Sequence, residues 1–376
     1  MILKIIFISM FVFNSFFINN IENITYKEKI IEKKLVINKS LNKQNYFIWN
    51  KIVSNKQNFK KKDIIENKKN NILNLKDEIK ITIGWDVMLS RTVWYYNQKD
   101  FWRITKKFNP ITQTWWIVFL NLESPFSKID KDWFHASYLF WANIWSIQTL
   151  NDLKKDNEMV LSLANNHIRN SWKSWVETTI ALLSKNNINY SGIWLNKNDS
   201  EKILQIKKWN NLICFQSFSY DWWEYNRISV NYLSENNIKL SLDKMKLLKC
   251  NLNLLSFHWG REYKFKPTDK QIELGHYSID NWADMIIGHH SHIFWKTEIY
   301  KEKPIYYSLW NYIFDQDAII WSCWYWKDCI YDEKSKKTIL PVQIWVSYEL
   351  IFKNKKLIKS TQKKHRMVNY WELIEY

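Results

Sequence analysis

From Lys80 onward, short apolar runs alternate with segments of helical periodicity. The runs IKITIG, WIVFLNLE, MVLSLANN, LICFQSF, LNLLSFHWG, DMIIGHHSH and PIYYSL are rich in β-branched and aromatic residues and predict strands. WKSWVETTIALLSKNN and TDKQIELGHYSIDNW space their apolar residues at the helical period and predict helices. Strands alternating with helices predict an α/β domain whose site lies at the carboxyl ends of the strands. The tail PVQIWVSYELIFKNKKLIKS predicts a closing β-hairpin.

The first eighty residues have a different texture. One Lys precedes an apolar run from Ile5 to about Ile18, short for a full membrane span and suited to a signal segment or anchor over residues 1–20. No small-x-small cleavage site follows, which favours an uncleaved anchor. Residues 21–80 hold 15 Lys and 7 acidic residues with many Asn and no Pro or Gly. This predicts a charged Lys/Asn-rich spacer over 21–78.

Composition changes the picture in one respect. The chain has 24 Trp and only 5 Gly, where ordinary usage, about 7%, would give roughly 26 Gly. One reading is a tryptophan-rich, glycine-poor protein. The other is that many Trp positions are Gly positions, because UGA codons that some bacteria read as Gly have been read as Trp. YYSLWNYIFDQ poses the question sharply, since it puts Trp310 at the centre of a turn that wants a small residue. The net charge of +18 suits an anionic partner, although abundant Lys, Asn and Ile also follow from an AT-rich genome. Cys214 and Cys250 sit in apolar runs and read as inert core residues. Cys323 and Cys329 flank a short loop and are either bonded or free thiols.

Five strand ends carry metal-type ligands. They are GWDVMLSR with Asp86, NLESP with Asn121 and Glu123, LANNH with Asn165, Asn166 and His167, FHWGREY with His258 and Glu262, and GHHSH with His289, His290 and His292. Carboxylate, amide and imidazole together suit one or two divalent ions such as Mn, Fe or Zn. Buried groups of this kind must be paired or must coordinate something.

These segments resemble the capsule-synthesis proteins of the CapA type (poly-γ-glutamate capsule biosynthesis), which belong with the calcineurin-like metallophosphoesterases. DVMLSR, NLESP, SLANNH, HWGREY, WADMIIGHHSH and YSLWNYIFDQ match that family's motifs in order, over about residues 80–316. The resemblance implies a four-layer α/β/β/α sandwich over 79–335, followed by a hairpin and tail over 336–376. It also puts Trp85, Trp172, Trp175, Trp194, Trp282 and Trp310 where the family has Gly, while Trp259 stands where the family itself has Trp.

By the same resemblance, Asp86, Glu123, Asn166, His258, His290 and His292 are the expected metal ligands. His167, Glu262 and Arg91 are the expected catalytic groups, and Asn311 and His289 the expected substrate contacts. One departure stands out: the usual Asp-x-His opening is missing, because Val87 and Met88 follow Asp86. The family further implies an anionic capsule polymer as substrate and other capsule-synthesis proteins as partners. The apolar N-terminal segment points to a place at the cell membrane facing outward, or to secretion if it is removed, and no recognition module points to nucleic acid. Three functions remain open at this level: metal-dependent cleavage or transfer of a phosphoester or amide bond in the polymer; polymer binding and export without catalysis; and a nucleic-acid phosphoesterase, for which no recognition module speaks.

Overall fold

The computed structural model describes residues 78–111, 116–128, 140–170, 173–195, 202–220, 224–225, 228–262, 264, 266–292, 294–295, 297–309, 311–315, 330–332, 337–339, 345–368 and 372–375. The expected leader, most of the spacer, Trp172, Trp310, Cys323 and Cys329 lie outside them. Among the described residues no helix is long and apolar enough to cross a membrane.

Two sheets form the frame. The first is built on β1 (Glu78–Val87), β2 (Ile117–Leu122), β3 (Glu158–Ser162) and β4 (Asn189–Ser191), paired in parallel in that order. The second contains β5 (Leu204–Lys208), β6 (Asn211–Ser219), β7 (Leu252–His258), β8 (Met285–His289), β9 (Glu298–Tyr300) and β10 (Lys303–Tyr306). Its order is β9-β10-β8-β7-β6-β5, with the four central strands parallel. β2, β7 and β8 are buried along their whole length, as strands covered on both faces must be.

The first sheet is completed from far along the chain. β11 (Asn311–Ile313) lies parallel to the end of β1, with Asp86 opposite Asn311. The expected hairpin forms as β12 (Trp345–Lys353) and β13 (Lys356–Val368), followed by β14 (Glu372–Glu375). β12 pairs antiparallel with the first half of β1, so this hairpin is an integral edge of the sheet.

The two sheets pack face to face. Phe119 of β2 stacks on Phe215 of β6 at 5.8 Å, and both belong to one apolar core with Ile81, Val160, Leu254 and Ile287. α1 (Arg91–Asn97), α2 (Ile147–Lys154) and α3 (Lys173–Lys185) bury Val93, Leu150, Leu153, Val176 and Leu183 in that same core. α4 (Glu235–Leu247) and α5 (Asp269–Asp280) bury Ile238, Leu242, Leu274 and Ile279 against Phe218, Leu255 and Ile286 of the second sheet. The layers therefore run helix, sheet, sheet, helix, as anticipated.

The cysteine reading is corrected. Cys214 and Cys250 form a disulfide, with Cα atoms 5.9 Å apart. Apolar flanks fit a buried disulfide as well as a buried thiol, so local sequence could not separate them. The bond ties β6 to the turn that leads into β7, whose residue Asn253 lies opposite Cys214.

The two well-described kinds of Trp differ physically. Trp259 is 1% exposed, and its indole N–H donates to the Tyr307 carbonyl over 3.0 Å. A Cβ on Gly288 would lie 2.6 Å from that indole nitrogen and 2.1 Å from Tyr307 O, so Gly288 makes the room Trp259 occupies. Trp282 is 62% exposed and sits at φ +84° just past α5. There Trp282 N–H bonds Ile279 O at 3.2 Å and Ala283 N–H bonds Ser278 O at 3.0 Å. These are the two bonds of a Schellman motif, whose left-handed residue is normally Gly. Trp209, in the tight β5–β6 turn, stands at φ +51° and is 48% exposed.

Candidate metal centre

The carboxyl ends of the parallel strands of both sheets deliver their polar residues to one place. β1 delivers Asp86, and Glu123 follows the end of β2. Asn166 and His167 follow β3 by a few residues, β7 ends on His258, and β8 ends on His289. Asp86, Glu123 and His258 are each 0% exposed.

Two three-residue groups have ligand atoms within 4.8 Å of one another: Asp86, Glu123 and His258, and Glu262, His290 and His292. The groups are linked. His292 Nδ1 lies 3.4 Å from Asp86 Oδ2, and its Nε2 lies 4.0 Å from Glu123 Oε2. His258 Nδ1 lies 3.6 Å from Glu123 Oε1.

Amides hold these groups in place. Asn121 Nδ2 donates to Asp86 Oδ1 at 2.8 Å and to Glu123 Oε1 at 3.3 Å. Asn166 Oδ1 accepts from His258 Nε2 at 2.7 Å, leaving the His258 Nδ1 lone pair toward Glu123. Asn165 is structural: its Oδ1 accepts from the backbone N–H groups of His167 and Ile168 at 3.1 and 2.9 Å. Of the adjacent pair, Asn166 is therefore the one that faces the cluster.

The other expected residues are close by. His167 donates from Nδ1 to Asn170 Oδ1 at 2.7 Å, takes Asn166 Nδ2 at its Nε2 at 3.2 Å, and stacks on Phe140 at 3.7 Å. Arg91 pairs with Asp315 through Nη2 and through Nε at 3.1 Å, and lies 4.3 Å over the Phe140 ring. Asn311 is 0% exposed and takes His292 Nδ1 at 2.8 Å, so it touches the cluster through His292. His289 is buried with Nδ1 3.3 Å from Asp86 Oδ1. Glu262 is the exposed member.

The electrostatics are those of a cluster with buried charge. Burial pushes the Asp86 carboxyl up, but His289, His292 and the Asn121 hydrogen bond outweigh it and leave the group below its ordinary value. Burial, reinforced by the negative charges of Asp86 and Glu262, raises Glu123 well above its ordinary value. Burial lowers His258 far below the usual imidazole range, with the neighbouring histidines adding to it. It lowers His290 to about 3 and His167 to about 4.

The residues fit a divalent ion on two grounds. Glu123 Oε2, His289 Nε2 and His290 Nδ1 are buried with no hydrogen-bond partner. Such atoms are expensive to bury unless something coordinates them. The donors are carboxylate oxygens and neutral imidazoles, which match borderline divalent metals. At the position of the missing histidine, Met88 is fully buried and its sulfur takes the Ser90 hydroxyl at 2.8 Å.

Three participants were not singled out from sequence. The Tyr220 hydroxyl pairs with His290 Nε2 at 3.1 Å, and its ring faces His258 at 6.3 Å. Tyr220 directly follows the end of β6, so the strand-end rule that found the other ligands also points to it. Asp315 likewise follows a hydrophobic run and orients Arg91, while Asn170 orients His167 from a short 3-10 turn just after it.

The match to known proteins agrees with this geometry. Residues 80–316 match the family "Bacterial capsule synthesis protein PGA_cap". The chain belongs to that family. It is 27% identical over 252 residues to "PGA biosynthesis protein CapA" of Bacillus subtilis (strain 168), covering 64% of each chain. It is 29% identical over 181 residues to "Capsule biosynthesis protein CapA" of Bacillus anthracis, covering 45% of this chain and 43% of that one. The chain thus spans less than two thirds of the length of these PGA_cap relatives. Among solved structures, "calcineurin-like phosphoesterase YfkN from Bacillus subtilis" aligns with a TM-score of 0.33 at 11% identity, over 77% of this chain and 90% of that one.

Proposed function

We propose that this chain acts in capsule synthesis on an anionic polymer of the poly-γ-glutamate type, cutting or transferring a phosphoester or amide bond with a bound divalent metal. The observation that supports it most is the buried set of unpartnered carboxylate and imidazole atoms in a member of the PGA_cap family. Asp86, Glu123, Asn166, His258, His290 and His292 would hold the metal, with Glu262 at its open side. A bound ion supplies Lewis acidity, polarising a phosphoryl or carbonyl oxygen.

The chain's own groups do the rest. His167 is neutral, keeps its proton on Nδ1 against Asn170, and offers Nε2 as an acceptor once Asn166 releases it. Arg91, fixed by Asp315, places a cation beside His167 for an anionic group of the substrate. His289 and Asn311 support Asp86 and His292 from behind. A working position outside the cytoplasm, held at the membrane, is part of the proposal, and the Cys214–Cys250 disulfide favours it.

The buried Met88 in place of the expected histidine favours a second reading, in which the same site binds polymer without turning it over. One experiment separates them. Metal content is measured on the purified chain, and product release from poly-γ-glutamate and from a phosphodiester probe is followed before and after chelation. Metal-dependent turnover, lost in Asp86→Ala and His258→Ala, is expected. Full turnover in the double variant would sink the enzymatic reading.

A further inference from the structure

Directly after the ligand strand β7, the chain runs through a segment that gives Glu262 to the metal cluster and carries three cations beside it. Arg261, Lys264, Lys266 and Thr268 line an open cavity of about 470 Å³. Arg261, Lys264 and Lys266 are all exposed. Among the described residues, none of the three cations is paired with a carboxylate. Some exposed lysines of the helices are paired, as Lys239 is with Asp243 and Lys270 with Glu235, while Lys185 and Lys246 are exposed without a carboxylate beside them among the described residues.

The loop is fixed at both ends. Gly260 opens it at φ +88°, where a Cβ would lie 2.6 Å from the Gln271 side chain. Thr268 closes it as the N-cap of α5, in a capping box with the same Gln271. Gln271 thus packs against Gly260 at the first end and caps the helix at the second. Glu262, next to Arg261 in the chain, belongs to the group with His290 and His292.

We infer that Arg261, Lys264 and Lys266 form a carboxylate subsite, which takes the regularly spaced acidic groups of the polymer on either side of the bond presented to the metal cluster. The inference rests on the polymer reading above but not on turnover. Three unpaired cations around an open cavity match a flexible chain bearing one carboxylate per repeat, since each exposed pair adds a little and the set adds up.

The test uses the full chain and fluorescently end-labelled poly-γ-glutamate of defined length, with affinity read by anisotropy across a salt series. The triple variant Arg261→Gln, Lys264→Gln, Lys266→Gln is expected to bind about tenfold more weakly at low salt, with a shallower salt dependence. Lys264→Arg with Lys266→Arg, which keeps the charges, is expected to bind as wild type does. Metal content is measured on every variant and is expected to stay at the wild-type value, which separates this test from failure of the metal site. An unchanged affinity and salt slope in the triple variant overturns the inference. So does equal loss of binding to a single-stranded DNA control that the wild type holds as tightly as the polymer, because the patch would then be a general anion surface. If chelation abolishes turnover while polymer binding persists and depends on these cations, both readings stand. If turnover is absent and cation-dependent binding persists, the subsite stands and the enzymatic reading falls.

Discussion

His292 Nδ1 donates to Asn311 Oδ1 over 2.8 Å, and this bond fixes which face of the imidazole meets the carboxylates. With Nδ1 protonated, the lone pair on Nε2 points toward Glu123 Oε2, 4.0 Å away. The pairing of β11 with β1 places Asn311 opposite Asp86, so the residue that orients one ligand is in register with another. Partners of this kind are worth roughly 10–100-fold in metal affinity. Asn311→Ala is expected to weaken metal binding by about that factor, and Asn311→Asp to restore most of it, as measured by competition with a chromophoric chelator. Wild-type affinity in Asn311→Ala would show that His292 is held by other contacts.

His365 provides a pH prediction away from the cluster. It is fully buried among the rings of Phe108, Tyr312 and Trp345. Burial lowers it from the ordinary 6.5 to about 3. Between those values the unfolded chain binds a proton that the folded chain refuses. Stability is therefore complete above about pH 6.5 and declines as pH falls toward 3, by up to about 1.4 kcal/mol per pH unit from this group. His365→Phe is expected to flatten that acid limb in urea titrations run between pH 4 and 7. An unchanged slope would assign the acid sensitivity to other groups.

The disulfide closes a sequence separation of 36 residues between Cys214 and Cys250. Loop-closure entropy for a loop of that size corresponds to roughly 3–4 kcal/mol. Replacing both cysteines with Ala is expected to lower the unfolding free energy by about that amount. A reductant should destabilise the wild type and leave the double variant unchanged. Equal response to reductant in both proteins would mean that the bond contributes nothing to stability.

Trp282 closes a Schellman motif at φ +84°. An L-residue in that conformation is strained by roughly 1–2 kcal/mol, part of which returns as the entropy Gly loses on folding. Trp282→Gly is therefore expected to stabilise the chain by about 1 kcal/mol. Trp259→Gly is expected to cost at least 3 kcal/mol, as large aromatic deletions in a core do. Thermal melts of the two variants read both signs. Destabilisation by both would argue that Trp282 has packing value its exposure does not show.

Much of the centre was legible in the sequence because parallel strands concentrate chemistry at their carboxyl ends. Each hydrophobic run that ended in a polar residue, from Asp86 to His292, marked a point of convergence. What was not legible depended on pairing at a distance. Nothing local to YIFDQ says that Asp315 meets Arg91, 224 positions away in the chain. The apolar flanks of Cys214 and Cys250 suit a thiol and a disulfide equally. The tail read correctly as a hairpin, but its antiparallel union with the first half of β1 follows from sheet edges that only the assembled fold reveals. Tyr220 was missed for a simpler reason: an aromatic after a strand looks like core until a histidine is found beside it.

The peptide at residue 282 also bears on how the gene must be handled. If its codon is UGA, as the left-handed backbone there leads us to expect, the same codon is expected at other exposed Trp positions such as Trp209 and Trp145. A host that reads UGA as stop would then halt at the first such codon, as early as Trp49, before any of the described strands has been made. A host that reads it as Trp would make a full-length chain with strained turns. Only a gene rewritten with glycine codons would yield the protein whose metal content and turnover are worth measuring, and reading one codon decides which case applies.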